Sequence, residues 1–231
     1  MEIIDSPIHQ WVDSNRLTPV IRQVVRRETL HLQDWRVTQL GGNAGNPVSL
    51  GLYRYEGIGQ EEGKTVTWSI ILKVLQSPAN VGWQNMGEGE DQTHWNYWKR
   101  ELYVYASDLL QALPQGMTAP RCFGMQELPG NTAWLWLEDI RDALKGVWSL
   151  ERYALTARHL GRLNGLYAAA RPIPGYPWLG AHLVKQWLVV DQPDWESLPW
   201  EDPRVLVRYP RGNAFHRMLL ESERFIARLN L

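Results

Sequence analysis

The sequence is short of cysteine, of net charge and of long apolar runs. Cys122 is the one cysteine in 231 residues, so no intrachain disulfide can form, and no Cys/His ligand spacing around it suggests zinc. A reducing, cytoplasmic location is the expectation. Lys+Arg number 24 against 25 Asp+Glu, a formal charge of -1. The basic excess that supplies most nucleic-acid affinity is missing, and nucleic acid is not an expected partner. No apolar run approaches the roughly 20 residues needed to cross a bilayer, so no membrane association is expected. Met1 is followed by Glu2 and Asp5 rather than by a basic and then apolar stretch, which predicts no secretory signal. Internal repeats and low-complexity tracts are absent too.

What is present is ordinary in bulk: 44% hydrophobic and 21% charged residues suit a globular chain with a real core. Thirteen tryptophans against three phenylalanines are unusual. They read either as large rings filling a core and a lobe interface or as a carbohydrate- or aromatic-binding groove. Their scatter along the chain favours the first.

Residues 7 to 30 read as short helical pieces broken at Pro7 and Pro19, with Thr18-Pro19 resembling a cap and a first-turn proline. Trp35 to Leu40, Val48 to Tyr55 and Val66 to Leu75 read as strands. The first two are joined by the glycine-bearing Gly41 to Pro47, the second and third by an exposed turn over Gly57 to Lys64. After a loop to Asp91, Trp98, Leu102, Tyr105, Leu109 and Leu113 recur at three- and four-residue steps, predicting one helix of roughly twenty residues. Glu101 lies about 60° from the centre of that stripe, on the shoulder of the buried face. Arg121 to Gln126 and Ala133 to Leu137 read as two further strands. Ser149 then caps a helix whose inner face is Leu150, Tyr153, Ala154, Ala157, Leu160, Asn164 and Tyr167, stopping at Arg171-Pro172. A short helix near His182 to Val190 and a last one over about Ala214 to Leu229 complete the reading. Strands, one long helix, two more strands and then helices predict an α+β fold with a sheet-bearing lobe before a helical one.

Four features in this order share a chemical logic. Glycines between two strands let backbone N–H groups approach a phosphate chain, although glycine turns between strands are common without one. Lys73 sits near the end of an apolar strand, where an ammonium either snorkels to an edge or meets an anion. Glu101 can reach Lys73 across the sheet, or can be a surface glutamate within Lys99-Arg100-Glu101. Trp136-Leu137-Glu138-Asp139-Ile140 leaves the fifth strand as a connector whose backbone C=O and N–H groups can read an adenine edge. Gly63-Lys64-Thr65 invites a phosphate-loop reading, but that motif needs glycine where Ile58 stands, and Glu61-Glu62 would repel phosphate.

The order of glycine turn, strand lysine, helix glutamate and apolar connector resembles the amino-terminal lobe of the protein-kinase-like superfamily. The closer likeness is to the aminoglycoside and choline phosphotransferases. Ile71-Leu72-Lys73 stands where kinases have their strand lysine, and Trp98-Lys99-Arg100-Glu101 where that group has its helix glutamate. Ala157 to Gly165 resembles the helix after the connector. The resemblance implies a protein-kinase-like fold: a helical extension over 1–32, a five-stranded antiparallel nucleotide-binding lobe with one long helix over 33–138, and a partial helical lobe over 139–231. It implies ATP as the bound nucleotide and a small-molecule acceptor that the sequence does not name. Gly42, Asn43 and Gly45 would cover the phosphates, and Lys73, oriented by Glu101, would contact the α/β-phosphates. The backbones of Glu138 and Ile140 would hold adenine, with Leu137 beside the ring.

The family's base and metal ligands are expected in H-x-D-x-x-x-x-N and a later acidic motif. None of His9, His31, His94, His159, His182 and His216 has Asp two residues on. The chain therefore reads as the front of such an enzyme, ending before its catalytic loop, with Mg²⁺ expected only where those motifs exist. The alternatives are a non-catalytic nucleotide-binding pseudokinase and a truncated gene product. In the last case apolar faces such as Phe215/Met218/Leu219 would lose packing partners and self-associate.

Overall fold

Lys64–Gln76 is rich in Val, Ile, Trp and Leu, and residues of that kind fill the interior of a sheet. In the computed structural model it is the central strand. The structure describes residues 12–40, 48–82, 90–94, 96–142, 146–180 and 202–203. The chain divides into two units, Met1–Leu183 and Val184–Leu231, and every element below belongs to the first.

Strands β1 (His31–Leu40), β2 (Ser49–Glu61), β3 (Lys64–Gln76), β4 (Cys122–Leu128) and β5 (Thr132–Leu137) form one sheet in the order β1-β2-β3-β5-β4. Every neighbouring pair is antiparallel. With helices α1 (Ser14–Val25), α2 (Arg100–Ala106) and α3 (Leu150–Gly165) the fold is α+β with a five-stranded antiparallel sheet, as the sequence predicts.

Side chains alternate across a strand, so β3 feeds two cores. Its even positions Trp68, Ile70, Leu72 and Val74 join Tyr53, Tyr55, Trp134 and Trp136 beneath α1, which contributes Leu17 and Ile21, both fully buried. Its odd positions Ile71 and Leu75 join Leu135 and Leu137 of β5 and pack against Trp98 and Leu102 at α2. Among the described residues Trp68, Trp98, Trp134, Trp136 and Trp178 are buried, the core use of tryptophan, while Trp35 and Trp68 also line a surface cavity.

Several expectations need correction. Thr18-Pro19 does not start a helix: Asp13 caps α1, accepting from the Arg16 N–H at 2.9 Å, and Pro19 lies inside it. The apolar contacts of Leu17 and Ile21 outweigh the backbone hydrogen bond that proline removes. The turn predicted over Gly57 to Lys64 shrinks to Glu62 and Gly63, with φ of 50° and 74°, the mirror-image turn that suits a two-residue hairpin. Gly57 instead sits inside β2, where a Cβ would stand 2.1 Å from the Asp34 carbonyl oxygen; it marks close strand approach, not a turn.

The predicted long helix is short. Arg100–Ala106 is helical, Ser107 turns extended, and a separate 3₁₀ turn covers Leu109–Ala112. The Ser107 hydroxyl donates back to the Val104 carbonyl at 2.9 Å and accepts from the Leu109 N–H at 3.3 Å. A short polar side chain thus offers the backbone a local alternative to the helical ladder.

α3 begins where expected. The Ser149 hydroxyl accepts from the Arg152 N–H at 3.3 Å, and the helix continues as a π-turn over Leu166–Ala170. Its expected inner face is not buried, however; Leu150, Tyr153 and Leu160 are all more than half exposed. Among the described residues no element covers it. The predicted helices near 182–190 and 214–229 lie outside the described residues.

Candidate functional site

Lys73 lies on β3 in register with Leu52 of β2 and Leu135 of β5. Paired residues share a face, so its ammonium rises from the second core, among Ile71, Leu75, Leu52 and Leu135. A cation there requires an anion, and the structure supplies one: the Lys73 Nζ is ion-paired with the Glu101 carboxylate of α2. The pair is half-buried, its side chains 27% and 34% exposed.

The placement of Glu101 follows from its neighbours. Trp98 and Leu102 anchor the helix in the second core, and Glu101 beside Leu102 is carried to the rim over Lys73. Arg100 fixes the start of the helix by donating to the carbonyls of Trp178 at 2.6 Å and His94 at 2.7 Å. Lys99 points away to Glu127 at 2.7 Å. The run Lys99-Arg100-Glu101 is therefore not an undirected surface cluster; each member has a separate partner. Tyr105, one turn after Glu101, has its hydroxyl pushed up to about 12 by burial and then by the Glu101 charge.

Around Lys73 the same sheet face offers apolar side chains. Leu40, Val48, Leu52, Tyr105 and Cys122 are partly buried against the second core. Burial raises the Cys122 thiol above its usual range. Leu40 and Ser49, which bound the segment between β1 and β2, stand at the Lys73 end of the sheet. Gly42, Asn43 and Gly45 themselves lie outside the described residues.

Leu137 is buried at the end of β5, opposite Ile71. The connector that follows is strongly tied down. The Glu138 N–H donates to the Arg121 carbonyl at 2.8 Å, and the Glu138 carboxylate pairs with the Arg121 guanidinium at 2.9 Å. Hydrogen bonds from Arg121 hold that carboxyl below its usual range. The Ile140 N–H donates to the Glu138 carbonyl at 3.1 Å. The donor and acceptor expected to read an adenine edge thus bond each other.

Asp139, between them, was not singled out by the sequence. Its side chain is 2% exposed, and both carboxylate oxygens accept from the Arg54 guanidinium at 3.0 Å, with Arg141 adding a bond at 3.2 Å. Burial alone would raise this carboxyl, but the bonds from Arg54, Ser69 and Arg141 bring it below its usual range. Arg54 and Asp139 are 85 positions apart, so no local pattern links them. The sole hint is that Arg54 alternates with the core residues Tyr53 and Tyr55, which puts it on the Lys73 face.

A cavity of about 480 Å³ lies on this sheet face beyond the Arg54–Asp139 pair, lined in part by Asp34, Arg36, Glu56, Ile58, Ser69 and Arg141. Lys73 and Glu101 are not in its wall. Its charges are largely satisfied internally, since Glu56 pairs with both Arg36 and Arg141. Among the described residues no cluster of three or more His, Cys, Asp or Glu could hold a metal ion, and no helix is long and apolar enough to cross a membrane. The carboxylates at the connector are engaged by arginines, so the described residues do not fit a bound magnesium.

No protein-family model, no curated protein and no solved structure matches this chain.

Proposed function

We propose that this chain is the nucleotide-binding lobe of a protein-kinase-like phosphotransferase of the aminoglycoside and choline type, with ATP as its ligand. The observation that carries the reading is the Lys73–Glu101 ion pair, a lysine of the third strand held by a glutamate on the helix between the third and fourth strands. A strand lysine and helix glutamate paired in this way are what a kinase lobe uses to hold the phosphates of its nucleotide. The ammonium contacts the α/β-phosphates, Gly42, Asn43 and Gly45 cover them, and Leu137 flanks the base. The phosphate acceptor is a small molecule.

A non-catalytic nucleotide binder is the second reading, favoured by the absence of H-x-D-x-x-x-x-N from the 231 residues. In both readings this chain binds nucleotide, and one experiment tests that. ATP at about 100 times its Kd adds about 2.7 kcal/mol to stability. For a protein of this size the melting temperature rises by about 5–10 °C. Lys73→Ala abolishes most of that rise, and Glu101→Ala and the double change fall together rather than adding. An equal rise in wild type and Lys73→Ala removes the role of Lys73.

A further inference from the structure

The connector Glu138–Ile140 is closed on itself. Ile140 has one backbone N–H, and it is bonded to the Glu138 carbonyl at 3.1 Å, a three-residue turn common where a strand ends. The Glu138 N–H is used by Arg121. The turn thus withdraws the N–H groups of both Glu138 and Ile140 from a ligand and leaves the Glu138 carbonyl its second lone pair, with no Ile140 donor beside it. An adenine edge presents one donor and one acceptor side by side, and a guanine edge also presents both. A lone acceptor takes one N–H from either and separates them poorly.

The turn does not stand alone. Its central residue, Asp139, is locked from two sides, by Arg54 of β2 with two 3.0 Å bonds and by Arg141 at 3.2 Å. Arg54 pairs in register with Ile71, and the same face carries Lys73 two residues on. The lock therefore ties the connector to the strands that carry the candidate phosphate site.

We propose that the Arg54–Asp139 pair is a specificity clamp that holds Glu138–Ile140 in a self-satisfied turn, so that the site grips a purine nucleoside triphosphate by its phosphates and reads its base weakly. This rests on the nucleotide-binding reading above. Arg54 and Asp139 act through the connector and are positioning residues. With the clamp in place, the Ile140 N–H is withheld from adenine, one of the two backbone contacts that the sequence reading expects.

The test is calorimetric titration of the whole chain with ATP, GTP and inorganic tripolyphosphate. In wild type the ATP and GTP affinities agree within about threefold, the scale of one modest hydrogen bond. Asp139→Asn weakens the clamp, frees the Ile140 N–H for a purine acceptor, and raises the ATP preference to about tenfold while leaving tripolyphosphate affinity unchanged. Arg141→Gln, an exposed change that strips one bond from the same carboxylate, gives a smaller rise and serves if Asp139→Asn does not fold. Wild type preferring ATP by more than about tenfold overturns the clamp but leaves nucleotide binding standing. So does an unchanged ratio in the folded variants. Failure of wild type to bind any of the three probes overturns the nucleotide reading itself.

Discussion

At Lys73 an ammonium is surrounded on its sheet face by Ile71, Leu75, Leu52 and Leu135, and a lone charge there would be costly. Glu101 offsets that cost, but a pair about one-third exposed adds little net stability. Such a pair is better placed to receive a third, anionic group than to hold the fold together. Asp139 is the contrasting case, a carboxylate almost wholly out of water with three guanidinium bonds. Its carboxyl is held below its usual range, so its contribution is fully present above the unfolded value near pH 4 and is lost as pH falls through the folded value. Asp139→Asn is therefore expected to cost about 2–3 kcal/mol at pH 7, with the gap to wild type closing as the solution is acidified toward pH 3. Urea midpoints measured across that range read the gap directly. A gap that does not change with pH would show that the carboxylate charge is not what the arginines recognise.

Among the elements, α1 is stable in spite of its sequence. Pro19 stands in its second turn, exposed, while Leu17 and Ile21 are fully buried against β3. Restoring the missing N–H by Pro19→Ala should stabilise the protein by about 1–3 kcal/mol. A thermal melt checks this, and a lower melting temperature would mean that the proline is needed where it is. The same helix shows why boundaries were hard to read. Pro19 and Thr18 form a locally convincing start signal, whereas the true cap, Asp13, is decided by which face of the helix meets the sheet. The strands were legible because β3 alternates between two cores and leaves an unmistakable run of Val, Ile and Leu. Gly57 misled because a glycine at a close strand approach looks in sequence like a glycine in a turn. Ser107 ends α2 within an apolar period that continues to Leu113, since one hydroxyl bonding its own backbone is invisible to a periodicity count. Lys73 and Glu101 were found from strand and helix position together. Asp139 was named as part of the connector, but its partner Arg54 lies on a distant strand that only pairing brings alongside.

At the scale of the molecule, the first unit concentrates its burial on the two faces of one sheet, and α3 follows with Leu150, Tyr153 and Leu160 exposed. In the proposed reading Lys73 and Glu101 hold a triphosphate, but phosphoryl transfer also needs charge neutralisation by metal and a group that accepts the acceptor's proton. None of the six histidines is followed two residues later by Asp, and no metal-ligand cluster stands among the described residues. Binding and turnover should therefore separate in this chain. With saturating γ-labelled ATP and Mg²⁺, the purified protein is expected to show the thermal shift described above and no label transfer to aminoglycosides, choline or sugars above the rate seen with Lys73→Ala. Transfer that depends on Mg²⁺ and disappears in Lys73→Ala would mean that a base and metal ligands are supplied from positions other than the family motif. The residues to change next would then be the described carboxylates outside that motif, beginning with Glu138 of the connector.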